Sequence, residues 1–80
     1  MTIQILAFGI AKEILGAAAI PKTFCDGLSA GEVKRELETR YPGLKSLTSF
    51  AIAINGEYAL PETIIKPGDE IAIIPPVSGG

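Results

Sequence analysis

The sequence ends in "PPVSGG" (residues 75–80), a stretch whose residue types and order suggest chemistry. Proline has no backbone N–H, so Pro75 and Pro76 end the hydrogen bonding of a preceding strand and favour an extended path. Gly79 and Gly80 have no side chains and can lie in a channel too narrow for other residues. Fully extended, residues 75–80 would span about 20 Å. The pattern predicts a thin, stiff segment with the Gly80 carboxylate at its tip.

The composition argues against several other kinds of functional site. An 80-residue chain forms one domain and is too small for a deep private active-site cleft. It has no His and one Cys, so neither a His-based catalytic triad nor a metal site is expected. It has no glycine-rich phosphate-binding motif. The seven Lys and Arg residues are scattered and the net charge is −2, which disfavours binding to nucleic acid or membranes.

The sequence also predicts the cellular compartment. Its apolar runs are shorter than the ~20 residues of a membrane span. Thr2 and Gln4 interrupt the first run, so no signal peptide is expected. Cys25 alone cannot form an internal disulfide, and we interpret it as a small buried residue rather than a reactive thiol. A cytoplasmic location is the simplest expectation.

Hydrophobic periodicity predicts the elements that must position the tail. Strand patterns cover residues 2–8 and 17–25, a hairpin around Asn55-Gly56 covers residues 50–60, and a last strand covers residues 70–75. Pro21 requires its strand to lie at a sheet edge or to contain a bulge. A short helix is predicted for residues 9–16. The main helix begins after Ser29, which forms a capping box with Glu32, and ends at Pro42-Gly43.

One amphipathic helix can cover only one face of a sheet. Val33, Leu37 and Tyr41 form the apolar stripe of the main helix. The fold class is therefore predicted as α+β, with a mixed four- to five-stranded sheet, one main helix on one face and a short extra helix after the first strand. The uncovered face, called the open face below, is an apolar patch that fits a partner protein. Its residues are Leu6, Phe8, Ala51, Ala53, Tyr58, Ala72 and Ile74.

The stretch "PGDEIAIIPPVSGG" resembles the carboxyl end of the molybdopterin synthase small subunits, the sulfur carriers of molybdenum-cofactor biosynthesis. "FGIAKEILG" and the "ING" hairpin are similar to the same family. The resemblance implies the ubiquitin-like β-grasp fold, with residues 1–75 as the domain and residues 76–80 as an extended tail.

The resemblance also implies a mechanism in which the chain is a cosubstrate without a bound cofactor. An adenylating enzyme, similar to ubiquitin-activating enzymes, uses ATP to convert the Gly80 carboxylate into an acyl-adenylate. A sulfur donor then replaces AMP and leaves a thiocarboxylate. The large synthase subunit supplies the catalytic groups and passes the sulfur to the cyclic pyranopterin precursor, within a heterotetramer of two small and two large subunits.

The family likeness assigns roles to individual residues. Gly80 carries the chemistry, while Gly79, Ser78, Val77, Pro76 and Pro75 form the tail and its base. Phe8, Tyr58 and Ile74 lie where the family meets its partners. Lys12 stands where the family often has Arg and is expected to pair with an acidic group of the activating enzyme. Two alternatives stay open: a related sulfur carrier for thiamine synthesis, tRNA thiolation or protein conjugation, and an interaction module with an inert terminus.

Overall fold

The structure, a computed structural model, describes residues 1–47 and 50–75. The predicted order of elements is confirmed. The elements are β1 (Thr2–Ala7), α1 (Ile10–Leu15), β2 (Ala19–Thr23), α2 (Ala30–Arg40), a 3₁₀ helix (Pro42–Ser46), β3 (Ala51–Ile54), β4 (Glu57–Tyr58) and β5 (Glu70–Ile74). β1, β2 and β4 are shorter than their apolar patterns suggested, and the 3₁₀ helix after α2 was not predicted.

The five strands form one mixed sheet in the order β2-β1-β5-β3-β4. β1 and β5 are parallel, whereas the β1–β2, β3–β5 and β3–β4 pairs are antiparallel. The first and last strands are therefore neighbours in the centre of the sheet, a pairing that the sequence suggested without fixing it. The hairpin has the predicted register, with Ala53 opposite Tyr58.

Pro21 occupies a position of the edge strand β2 where no N–H is needed. The N–H of Phe24 donates to the carbonyl of Met1, and the N–H of Ala7 donates to that of Ala18, each at 2.8 Å. Hydrogen-bonding positions alternate along an antiparallel strand, so residues 18, 20, 22 and 24 face β1. Pro21 falls between them, so its backbone nitrogen points away from β1, towards the open edge of the sheet. The edge assignment required this orientation.

The start of α2 is fixed by the predicted capping box. The N–H of Glu32 donates to the Ser29 hydroxyl at 3.2 Å, and the N–H of Ser29 donates to the Glu32 carboxylate at 3.0 Å. Both bonds satisfy N–H groups that a helix end leaves without partners. Val33 and Leu37 are fully buried, so the predicted stripe faces the core.

The hydrophobic core lies on one face of the sheet. α1, α2 and the 3₁₀ helix contribute buried residues to the same cluster as the inward-facing residues of β1, β3 and β5; its fully buried members include Ile3, Ile5, Ala11, Val33, Leu37, Leu44, Ile71 and Ile73. The open-face residues do not belong to this cluster. In the described ranges, the helices are all too short to cross a membrane.

Candidate functional site

Pro75, the base of the C-terminal segment, lies beside the turn that follows β1. β1 and β5 are parallel, with Ala7 opposite Ile73, so both strands leave the sheet at the same edge. A Cβ atom built on Gly9 would lie 3.5 Å from Cγ of Pro75. The chain therefore passes along this turn as it leaves β5. The other predicted site residues of this segment lie outside the described residues: Pro76, Val77, Ser78, Gly79 and Gly80.

The open face is a continuous surface across four strands. One row across β1, β5, β3 and β4 consists of Leu6, Ala72, Ala53 and Tyr58. The next row towards the end of β5 holds Ile74 opposite Ala51. Residues that lie opposite one another project from the same face, so these side chains are neighbours. Six of the seven predicted residues are thus brought to one face, opposite the helices, and the seventh, Phe8, directly follows β1.

Exposure on this face is uneven. Phe8 is 52% and Tyr58 is 74% exposed, whereas Leu6, Ala51, Ala72 and Ile74 are half-buried. The expectation that every member lacks cover was wrong for Ala53, which is only 4% exposed, because a methyl group in the middle of a row is flanked on both sides. Small residues occupy the centre, and the two large exposed aromatic side chains lie at its ends.

The shape of the open face indicates what it can bind. Phe8 follows β1 and Tyr58 lies in β4, three strand spacings away, or about 14 Å. A broad, shallow apolar surface of this kind suits another protein, since small molecules bind in concave sites that enclose them. Ile74 joins this surface to the base of the tail, because Pro75 follows it directly.

Lys12 is exposed on α1 and does not lie on the open face. Ala11, its neighbour in α1, is fully buried in the core. Ile14 packs against the 3₁₀ helix, with its Cγ2 atom 3.1 Å from the position of a Cβ on Gly43. Lys12 is thus an exposed residue of the helix that packs on the core face, and its N–H donates to the carbonyl of Gly9 at 3.1 Å.

Several surface residues were not identified from the sequence. Ile10, Leu60 and Ile64 are 45%, 64% and 51% exposed. For Ile64 a signal was present, because two consecutive isoleucines in an extended segment face opposite sides and Ile65 is buried. Gly9 was also missed as a feature of the site, since no sequence signal distinguishes its backbone conformation from that of other loop glycines. Cys25 was expected to be buried and is exposed, which corrects that interpretation.

A groove among the described residues lies away from these features, between β2 and α2. Its volume is about 580 Å³, and its lining carries charges of both signs: Lys22, Glu32, Arg35, Glu36 and Arg40. None of the predicted site residues lines it. The candidate site is therefore the open face together with the base of the tail.

A hydrogen-bonded cluster fixes the opposite end of β5. Asn55 Nδ2 donates to Asp69 Oδ1 at 2.9 Å, the N–H of Lys66 donates to Asp69 Oδ2 at 2.8 Å, and the N–H of Glu70 donates to Asn55 Oδ1 at 3.0 Å. The bond from the Lys66 N–H, followed by that from Asn55, lowers the pKa of Asp69 below its ordinary value. The β3–β4 turn is thus tied to the first residue of the strand that leads to the tail.

Comparison with known proteins places these features in a family. The profile of the ThiS family matches residues 5–80. The molybdopterin synthase sulfur carrier subunit of Homo sapiens is 37% identical over 82 residues, which cover 98% of this chain and 93% of the human protein.

Solved structures agree with the sequence match. The crystal structure of SAMP1 from Haloferax volcanii has a TM-score of 0.83 and 25% identity over the whole of both chains. A complex of subunits 1 and 2 of the molybdopterin-converting factor from Helicobacter pylori contains a chain with a TM-score of 0.69 and 27% identity, also over both full lengths. The chain has the β-grasp fold of the ubiquitin-like sulfur carriers, and it belongs to the ThiS family.

Proposed function

We propose that this chain is the sulfur carrier of molybdenum-cofactor biosynthesis, the small subunit of a molybdopterin synthase, acting in the cytoplasm. The observation that carries the proposal is its similarity, over nearly the full length of both proteins, to the human sulfur carrier subunit. The layout of the domain supports it, because the strand that leads to the tail ends beside an apolar face suited to a partner protein.

The reactive group in this proposal is the carboxylate of Gly80. An α-carboxylate has a pKa near 3.5, so at neutral pH it is ionised and a poor acyl donor. In an ATP-dependent adenylating enzyme, a carboxylate oxygen attacks the α-phosphorus of ATP and pyrophosphate leaves. A sulfide-level donor, such as hydrosulfide, then attacks the acyl carbon, AMP leaves, and Gly80 becomes a thiocarboxylate. The carrier binds no cofactor itself, since ATP is held by the activating enzyme.

Sulfur transfer takes place on the large synthase subunit. The thiocarboxylate sulfur is a nucleophile: it forms a bond to an electrophilic carbon of the pyranopterin precursor, and an oxygen substituent leaves from that carbon. Water then hydrolyses the bond between the acyl carbon and sulfur, which leaves the sulfur on the product and restores the Gly80 carboxylate. Residues 76–80 must enter the active site of the large subunit, and Gly79 allows passage through a narrow channel because it has no side chain.

The open face is the proposed docking surface. Phe8 and Tyr58 provide exposed aromatic surface, and Ile74 connects that surface to the tail. Lys12, on the other side of the β1–α1 turn, is assigned to an acidic group of the activating enzyme.

A second candidate function is protein modification. The structural likeness to SAMP1 from Haloferax volcanii, and to the small archaeal modifier protein 1 from Methanosarcina acetivorans at 29% identity, favours it. Both functions begin with adenylation of Gly80 and differ in the acceptor. In protein modification, a lysine amine of the target attacks the activated carrier. In molybdopterin synthesis, the sulfur of the carrier attacks the pterin. Gel analysis for higher-mass conjugates separates them, because a synthase subunit forms none.

The proposal is tested by loading the chain with sulfur. Incubation with its activating enzyme, ATP and a sulfur source should raise the intact mass by the difference between sulfur and oxygen. Deletion of Gly80 should abolish this increase without changing the unfolding midpoint, because the chemistry resides in the terminus and the core in residues 1–75. Lys45→Ala, an exposed substitution in the 3₁₀ helix outside the proposed site, is the control. An unchanged mass in the wild-type chain would overturn the proposal.

A further inference from the structure

The turn between β1 and α1 has a backbone conformation that only glycine adopts readily. Gly9 has φ 56° and ψ −131° and precedes the first residue of α1. Side chains of L-residues clash with the backbone at positive φ, and this combination of angles is essentially restricted to glycine. The turn is also hydrogen-bonded, since the N–H of Ala11 donates to the carbonyl of Phe8 and that of Lys12 to the carbonyl of Gly9, each at 3.1 Å.

The same glycine lies beside the base of the tail. A Cβ on Gly9 would meet Cγ of Pro75 at 3.5 Å, the distance of ordinary van der Waals contact. Space alone would therefore admit a methyl group, so the backbone angle is the constraint. A side chain at position 9 would force the peptide groups on either side of it to rotate, which would move the surface on which Pro75 rests.

We propose that Gly9 is a positioning residue for sulfur transfer: the glycine-specific turn at the end of β1 sets the direction in which the tail leaves the domain. The parallel pairing of β1 with β5 is what makes this possible, because both strands leave the sheet side by side. Pro75 transmits the constraint to the tail, since its ring fixes its own φ and lies where a side chain on residue 9 would touch it. The inference rests on the proposed function and adds a residue that never contacts the reacting atoms.

The test uses the chain in its complex with the large subunit. Thiocarboxylated wild-type chain, Gly9→Ala, Pro75→Ala and the double variant are compared in single-turnover sulfur transfer to the precursor. A misplacement of about 1 Å can slow a reaction by as much as about 100-fold, so we expect Gly9→Ala to lower the transfer rate about tenfold or more. The carrier concentration that gives half-maximal rate should change less than the rate itself, because Tyr58, Ile74 and the paired rows of the open face are not altered.

Gly16→Ala is the matched control. Gly16 also has a positive φ, 83°, and lies at the other end of α1, but a Cβ there would have no neighbour within 4 Å. It introduces strain into the same helix without touching the tail, so its transfer rate should equal that of the wild type once the folded fraction is taken into account. Equal transfer rates for Gly9→Ala and Gly16→Ala would overturn the inference.

A double-mutant cycle asks whether Gly9 acts through Pro75. If it does, the double variant should be about as slow as the slower single variant, whereas independent effects would multiply. Multiplying effects would overturn the inference. If Gly9→Ala does not fold, the transfer rate of Pro75→Ala is the test. A rate equal to that of the wild type would overturn the inference. Failure of the wild-type chain to accept sulfur would instead overturn the proposed function.

Discussion

Phe8 and Ile64 are a natural pair for testing the open face at the scale of single residues. Their exposed fractions are nearly equal, 52% and 51%, but their surfaces differ. Phe8 lies at the edge of the open face next to Gly9, whereas Ile64 bridges to Ser29 at the start of α2. A partner that uses the open face should therefore distinguish them.

We expect Phe8→Asp to weaken binding to the large subunit by about 1–4 kcal/mol, the range of an apolar anchor in an interface. Ile64→Asp adds the same charge at equal exposure and should leave the affinity unchanged. Titration calorimetry with the purified large subunit measures both. Both substitutions should lower the unfolding free energy by a similar amount, about 1 kcal/mol, since each side chain is about half exposed. Equal losses of affinity in the two variants would contradict the docking assignment.

The face of the sheet on which a residue lies was predictable from the sequence wherever the alternation along a strand determined it. The alternation along β1 and β5 placed Phe8 and Ile74 on the face opposite Ile73. The burial of Ala53 and the exposure of Cys25 depend on neighbours from other segments, and the period of one strand carries no information about those. The same holds for the angle at Gly9, which only the packed turn reveals.

At the scale of elements, β5 is held at both ends. Its first residue, Glu70, is bonded to Asn55, and its far end leads to Pro75 beside Gly9. The backbone N–H of Asn55 also donates to the carbonyl of Glu70 at 2.8 Å. These bonds fix the register of β5 against β3, and with it the point at which the tail begins.

Asp69 makes this anchoring dependent on pH. Its pKa in the folded chain lies below the ordinary value of 3.8, so the hydrogen bonds of the carboxylate stabilise the fold fully at pH values well above 3.8. Stability is lost as the pH falls below 3.8 and towards the lower folded pKa. We therefore expect wild type to exceed Asp69→Asn in unfolding free energy at neutral pH, with a difference that shrinks on acidification. Denaturant unfolding from pH 7 to pH 2 measures it.

Glu57→Gln provides the comparison for this pH series. Glu57 is an exposed carboxylate of β4 in the same region of the fold, and it accepts none of the hydrogen bonds of the Asn55–Asp69 cluster. The substitution removes a carboxylate from this region without removing a hydrogen bond of the cluster. A pH-independent difference between wild type and Asp69→Asn would show that the carboxylate does not contribute in this way.

Elements were predictable where the signal is local. Asn55-Gly56 identified the hairpin, and Ser29 with Glu32 identified the start of α2, because each signal lies within four residues. The bond between Asn55 and Asp69 joins residues 14 apart in the chain and depends on the pairing of β3 with β5. Strand lengths were overestimated for a related reason, since an apolar run continues beyond the point where a partner strand ends.

At the scale of the whole molecule, the sheet separates the core, which stabilises the fold, from the surface proposed to bind partners. The helices and the core lie on one face, and the surface proposed for partners lies on the other. The sequence predicted this division, because one main helix can cover one face only. It left the strand order open, since the hydrophobic pattern of a strand does not identify its neighbours. The parallel pairing of β1 with β5, on which the placement of Gly9 beside Pro75 depends, therefore came from the structure.

Consecutive residues of β5 test this separation most directly. Ile73 is fully buried in the core, whereas Ile74 is half-buried on the open face. Ile73→Ala should cost about 2–5 kcal/mol of unfolding free energy, the range for a fully buried isoleucine. Ile74→Ala should cost less, about 1–2 kcal/mol, because its side chain is only partly buried. Urea denaturation measures both values.

Binding should show the opposite order in the same two variants. Ile74→Ala removes apolar contact area from the proposed interface and should weaken binding to the large subunit by about 1–2 kcal/mol. Ile73→Ala, corrected for its folded fraction, should bind as the wild type does, because its side chain faces the helices. A loss of affinity that followed the loss of stability in both variants would mean that the two faces act as one unit. Opposite orders for the two variants would assign the core face to folding and the open face to the partner.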